Sequence, residues 1–208
     1  VYILVALDKG KTFRHDSYSE YKAGRIEMPD ELRQQFSVAK EMMDCMGIKW
    51  TETDGYEADD IIGTFATNIS KKDYEGLIIS SDKDLLQLID DNVKVNLLKT
   101  KDYIIMDRDT FYSEYGIEPI KMIDLKGLQG DSSDNIPGVK GIGPKTALKL
   151  LQEYNSLENI YVNIDKIKGN VHDKLLEYKD DAFMSKQLAT IYKEVPTNLS
   201  LEDIKYKG

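Results

Sequence analysis

The 208-residue chain predicts an α/β fold, with a mostly parallel central sheet followed by a helical lobe. Three observations predict it. Short β-branched runs alternate with helically spaced segments in the first half. Helical spacing takes over after about Asp107, and acidic residues gather at the ends of the predicted elements.

Val1–Leu7 (VYILVAL) is an unbroken apolar run, as are GLIIS at 76–80 and, less strictly, VKVNLL at 93–98. Such runs are expected of strands buried on both faces of a parallel sheet. Between the first two, Pro29 marks a helix start. Leu32, Phe36, Ala39, Met43 and Met46 then keep a spacing of three to four, and Gly47 is the stop. A second helix is read from Ile61, Ile62, Phe65, Ala66 and Ile69. Beyond Asp107 helical segments with short polar breaks predict a lobe against one edge of the sheet, with no strand, and 197–208 reads as a tail. The expected boundaries are an α/β core over 1–120 and a helical lobe over 121–208. The first residue is Val, already inside a strand-like run, so further sequence of this domain is expected upstream.

Apolar residues make up 41% and charged residues 31%, an ordinary globular balance. No apolar run approaches the roughly 20 residues that span a bilayer. No secretory signal pattern is present and Cys45 is the single cysteine, so the expected setting is cytoplasmic with no membrane partner. The net charge of −9 argues at first against nucleic acid, but its distribution matters more. Five cations, Lys9, Lys11, Arg14, Lys22 and Arg25, face only Asp16 and Glu20 over residues 9–25.

The acids fall where an α/β site would put them. Asp8 ends the first strand, and Glu57, Asp59 and Asp60 occupy a helix start. Asp82 and Asp84 follow the strand GLIIS, and Asp131 and Asp134 close a helix-like segment. Ligands of open parallel sheets bind at strand C-termini. Eight carboxylates on one rim could not all stay ionised unaided, because like charges raise one another's pKa. Hard divalent cations resolve the conflict, and two about 4 Å apart form the usual clamp for phosphodiester cleavage. Each group alone has a plainer explanation: EADD as helix-start dipole compensation, SSDKD as a capped turn, Asp131 as a turn cap. Four such groups in α/β order carry the metal reading.

GVKGIGPKT (138–146) comes within one residue of a phosphate-binding G-x-x-x-x-G-K-[ST] loop, but Pro144 holds the lysine position and no strand precedes it. A helix–hairpin–helix turn fits better. Gly138, Gly141 and Gly143 would admit a DNA phosphate to backbone amides at a helix start. Lys140, Lys145 and Lys149 would add charge without reading sequence, and the hairpin carbonyls suit a monovalent cation. A plain inter-helix turn is the alternative. In the basic segment, Tyr18, Tyr21, Lys22 and Arg25 would share one face if helical, an arrangement suited to single-stranded nucleic acid or to an ordinary solvated helix.

Taken together, VALDKGKTFRHDSYSEYKAGR, YEADDIIGT, SSDKDLLQL and DLKGLQGDSSDNIPGVKGIGPKTALKLL resemble, in order, the motifs of the 5′-nuclease family. That family comprises the 5′→3′ exonuclease domain of bacterial DNA polymerase I, its stand-alone bacterial relatives and the flap endonucleases. The resemblance covers nearly the whole chain. It implies a PIN-like core with a helical arch at about 9–36 and a helix–two-turn–helix element at about 120–153. By resemblance, Asp8, Glu57, Asp59, Asp60 and Asp82 match ligands of a first metal and Asp84, Asp131 and Asp134 those of a second, the ions being Mg2+ or Mn2+. Lys22 and Arg25 match the arch residues that act on the scissile phosphate, and Tyr21 the aromatic on which a terminal base stacks. Arg14 and Tyr18 join them as DNA contacts. The loop from Gly138 to Lys145, continued by Thr146 and Lys149, matches the duplex grip, often with K+. The family's first-strand aspartate, a first-site ligand, has no counterpart here.

The implied function is structure-specific 5′ nuclease activity on DNA flaps, overhangs or nicks in replication and repair, by a monomer in the bacterial nucleoid. The alternatives are a DNA-structure-binding fragment impaired in catalysis for want of that first strand, a PIN-like RNase, and, weakest, a nucleotide-binding loop protein.

Overall fold

The computed structural model describes residues 1–26, 28–72, 74–99 and 102–208. Residue 27, inside the expected arch, lies outside them. Among the described residues, five strands form two sheets rather than one. β1 (Leu4–Ala6) pairs in parallel with β2 (Lys49–Thr51), Val5 opposite Trp50. β3 (Gly76–Ser80) pairs in parallel with β4 (Val93–Lys99), and β4 pairs antiparallel with β5 (Asp102–Met106). Helix α3 (Ala58–Ser70) contacts both β1 and β3, so the two sheets lie side by side on one support. At the strand starts, the Tyr2 and Tyr74 rings meet edge to face at 6.2 Å.

The expectation of strands buried on both faces is corrected. In β3 only Ile78 is buried, while Leu77 and Ile79 are 55% and 67% exposed, and Tyr103 and Ile105 of β5 lie open too. The described helices cover one face of this sheet, so an apolar run becomes an alternating strand. Helix α2 (Asp30–Cys45) follows the predicted spacing, yet none of its residues is buried. The basic segment is not a helix from 18 to 25. Helix α1 (Phe13–Ser17) is one short turn, and the chain then folds through tight turns in which Lys22 takes a positive φ of 57°. The expected tail is docked: Ile204 is buried and its carbonyl accepts the Ile3 N–H at 2.9 Å.

The second half is helical, as expected: α4 (Arg108–Tyr115), α5 (Met122–Gln129), α6 (Pro144–Tyr154), α7 (Leu157–Val162), α8 (Asn170–Glu177) and α9 (Lys179–Ala189). One apolar core runs from Val93, Val95 and Leu97 of β4 through Phe111, Leu125 and Leu128 to Leu157, Ile160 and Leu175. Sheet and helical lobe therefore pack as one body. No helix among the described residues is long and apolar enough to cross a membrane.

Two glycines shape the loop after α5. Asp131 and Ile136 exchange both backbone hydrogen bonds at 2.8 Å, closing a hairpin around residues 132–135. Gly130 and Gly138 meet at its neck, both at positive φ, and a Cβ on Gly138 would lie 2.2 Å from the Gly130 nitrogen. We therefore expect Gly138→Ala to destabilise the fold by about 3 kcal/mol, from backbone strain plus overpacking against main chain. Urea unfolding of the two proteins checks this.

Candidate metal centre and nucleic-acid surface

The acids that open α3 take distinct roles. Glu57 caps the helix, and Asp60 returns the favour by accepting the Glu57 N–H at 3.0 Å. Asp60 is fully buried. Its two oxygens take Nη1 and Nη2 of Arg14 at 2.8 and 2.7 Å, and Oδ1 also accepts the Tyr192 N–H at 2.8 Å. Its acceptor capacity is used, so Asp60 is a buried brace rather than a metal ligand. Arg14, 2% exposed, is removed from the DNA-contact set for the same reason. Burial disfavours its charge, but Asp60 and Glu57 outweigh that and hold its pKa above the ordinary arginine value.

The remaining acids lie at element ends, and several of them line one cleft. Asp8, at the end of β1, accepts the Ala58 N–H at 2.7 Å, and Asp82, after β3, accepts the Asp84 N–H at 2.9 Å. Asp59 sits among them. Burial first, then the charges of Asp82, Glu57, Asp84 and Asp8, push its pKa up to about 8. A narrow cleft is lined by Glu57, Asp59, Asp82, Asp84 and Asp134 together with Tyr21 and Lys22.

Cations stand between several of these carboxylates. Lys22 Nζ lies 2.5 Å from Glu57 and 3.7 Å from Asp134, and Arg25 lies 2.5 Å from Asp134. Lys126, on the last turn of α5, lies 2.6 Å from Asp84 Oδ1 and also pairs with Asp131 Oδ2. Among the described residues, no three carboxylates close on a common metal position. Burial pushes Asp84 up more than Lys126 pulls it down. For Asp131 the balance reverses, and Lys126 and Ser133 overcome burial and hold its pKa low. Lys126 went unnoticed in the sequence, although its position five residues before Asp131, across a helix end, was the available signal.

Tyr21 is 3% exposed, so no face is free for a base to stack on. Its hydroxyl donates instead toward Glu57 (3.2 Å) and Asp134 (3.3 Å), and burial followed by those two charges raises its pKa. Tyr18 is half-buried against the cluster of Tyr21, Ile136, Leu188 and Ala189. In the glycine loop, Gly138 is buried and its N–H donates to Ser185 Oγ at 2.9 Å, so it too leaves the DNA-contact set. Lys140, Gly141, Gly143, Lys145 and Lys149 are exposed and Thr146 is half-buried. Pro144 opens α6, leaving the amides of Lys145 and Thr146 as the donors of its first turn. The Gly141 carbonyl accepts from Lys174 Nζ at 3.2 Å.

Residues 1–116 match the family model of the 5′-3′ exonuclease N-terminal resolvase-like domain, and residues 117–208 that of the 5′-3′ exonuclease C-terminal SAM fold. The chain belongs to the 5′-3′ exonuclease family. This exonuclease-family chain is 44% identical over 214 residues to DNA polymerase I of Bacillus caldotenax and 46% identical over 211 residues to that of Streptococcus pneumoniae. Each match takes in 100% of this chain but 24% of the relative, so the chain spans about a quarter of their length. Among solved structures, T5 5′-exonuclease with bound zinc aligns with TM-score 0.74 and 26% identity, over 91% of this chain and 74% of that one. The bacteriophage T5 flap endonuclease, in a pseudo-enzyme-product complex with DNA and metal ions, aligns at 0.75 and 26% over the same shares. The catalytic core of Rad2 shares the fold at TM-score 0.61 and 20% identity, over 95% of this chain and 65% of that one.

Two outcomes follow for variants of α3. Asp60→Asn leaves the Arg14 guanidinium buried without its counter-charge and should cost about 3–5 kcal/mol in urea unfolding. Asp59 behaves oppositely. Its pKa is raised on folding, so between about pH 4 and about 8 the folded state holds more protons than the unfolded one, and stability falls as pH rises. In EDTA, Asp59→Asn should flatten that decline between pH 5 and 8. Equal slopes in the two proteins would show that the crowding is absent.

Proposed function

We propose that this chain carries the 5′→3′ exonuclease and flap endonuclease chemistry of its family, hydrolysing DNA phosphodiesters with two Mg2+ or Mn2+ ions. The observation that carries the reading is the crowding of Asp59 by Asp82, Glu57, Asp84 and Asp8 at the ends of β1, β3 and α3. The donor set fits hard divalent ions, being all carboxylate oxygen. Asp8, Glu57, Asp59 and Asp82 would hold one ion and Asp84, Asp131 and Asp134 the other. Bound there, such ions supply an acidified water for attack and neutralise charge on the leaving oxygen.

The chain's own residues do the rest. Lys22 and Arg25 are the cations nearest the rim on a turn segment, and Arg25 keeps half its side chain in solvent, able to meet a phosphate. The Tyr21 hydroxyl orients Glu57 and Asp134 toward one another. The exposed Lys140, Lys145 and Lys149, with the amides of Lys145 and Thr146, take a duplex backbone without reading bases. A potassium ion at the hairpin would have to share the Gly141 carbonyl with Lys174. We take the molecule as a monomer acting on flaps, overhangs or nicks in the nucleoid.

Binding without catalysis is the second reading, favoured by the lack of three converging carboxylates among the described residues. A 5′-flap duplex incubated with Mg2+ separates the two, since cleavage near the junction is expected and binding with no cut would favour the second. Asp82→Asn should abolish cleavage while leaving binding in EDTA nearly intact. Lys140→Ala with Lys145→Ala should weaken binding and reduce its salt slope by up to about two phosphate contacts.

A further inference from the structure

The two carboxylate sets differ in what balances their charge. Among the described residues no cation pairs with Asp8, Asp59 or Asp82, of which Asp8 and Asp82 accept backbone N–H groups at 2.7 and 2.9 Å, so these three are uncompensated, whereas their neighbour Glu57 is met by Lys22. Asp84 and Asp131 instead share one ammonium. Lys126 Nζ bridges Asp84 Oδ1 and Asp131 Oδ2, and the three side chains are only 12–16% exposed. The bridge is fixed from behind. Lys126 lies on α5, whose contact with α9 is the densest helix pairing among the described residues. At Gly127 an added Cβ would stand 3.1 Å from the Ala182 carbonyl, so the helix cannot draw back to carry the ammonium away. Asp131 is held in turn by the Ser133 N–H and hydroxyl at its other oxygen.

We propose that Lys126 is a built-in counter-ion for Asp84 and Asp131, and that a divalent ion reaches these carboxylates only by displacing its ammonium. The inference rests on the reading of both acids as ligands of the second ion. An ammonium and a divalent cation cannot occupy the same carboxylate oxygens, and at this burial their mutual repulsion is poorly screened. The uncompensated set around Asp59 therefore fills first, and the second ion binds more weakly than its ligand count suggests. Lys22 and Arg25 differ in kind, since they sit on turns and Arg25 is half exposed. Lys126 stays tethered beside the site after displacement, where its freed charge faces whatever anion the site receives.

Mn2+ titration at low ionic strength, with free ion read by electron paramagnetic resonance, tests this without any cleavage. The wild type should bind Mn2+ in two classes, the second weaker. In Lys126→Met or Lys126→Gln the second class should tighten by about tenfold or more, the first staying in place, whereas Lys126→Arg keeps the charge and the weak second class. An unchanged or weakened second class in both neutral variants overturns the proposal. Wild-type protein that binds no Mn2+ overturns instead the metal reading beneath it. Amine acetylation mapped by mass spectrometry gives a readout that needs no variant. Lys126 should be protected in EDTA and become reactive with Mg2+, and protection that persists at saturating Mg2+ also overturns the proposal.

Discussion

The ion pair of Arg14 with Asp60 is the constraint on which the rest of the site depends. Arg14 comes from a single helical turn near the start of the chain and Asp60 from the first turn of α3. The same guanidinium donates to the carbonyls of Leu188 (2.9 Å) and Thr190 (2.8 Å), at the C-terminal end of α9. Gln87 grips the same stretch from the other side, donating to Ala189 and accepting from Ile191, both at 2.9 Å. Three remote segments thereby meet around one buried charge pair. Such a pair contributes little net stability against well-packed apolar residues, yet breaking half of it is costly. Its role here is to fix geometry, because the carboxylate that holds Arg14 also holds the N–H of Glu57, the residue facing the cleft.

That arrangement sorts the acids by function. Asp60 has its charge matched and its lone pairs filled, and acts as scaffold. Glu57, Asp84, Asp131 and Asp134 are matched by Lys22, Lys126 and Arg25, cations that touch them but are not locked in as Arg14 is. Asp8, Asp59 and Asp82 receive only amide hydrogen bonds or one another's repulsion, and Asp59 registers the imbalance as a raised pKa. A protein selected only for stability would not keep such a cluster, since like charges this close oppose folding. The gradation from matched to unmatched runs from the core to the mouth of the cleft.

Much of this was legible before any coordinates. Acids at the ends of elements pointed to the cleft, helical spacing located α3, and the glycine spacing located the turn into α6, while the hairpin closed by Asp131 and Ile136 was not read. What remained hidden has physical causes. Arg14, Asp60 and Tyr21 look like surface residues by type, and partners up to 176 positions away bury them. Gly138 reads as a phosphate-approach glycine, but its amide is already committed to Ser185. In β3 a run of apolar residues is identical whether one face or both are covered, so Leu77 and Ile79 could not announce their exposure. The same ambiguity applies to α2, whose stripe is correctly spaced and yet contains no buried residue.

The stretch from Gly130 to Lys149 joins the exposed lysines mechanically to the cleft. Asp131 and Asp134 lie in a hairpin closed by two backbone hydrogen bonds, and the neck of that hairpin is the contact of Gly130 with Gly138. Val139, the next residue, donates to the Leu128 carbonyl of α5, and Ile142 is buried in the main core, so the exposed lysines that follow are carried on a rigid base. The basic turn segment is tied to the same hairpin, because the Lys22 N–H donates to the Asp134 carbonyl at 2.9 Å. A duplex held by Lys140, Lys145 and the start of α6 would therefore be held at a set distance from both the carboxylates and Lys22. On the proposed function, selection of the phosphate to be cut would need no sequence contact, because the spacing between two backbone-defined points would do the measuring.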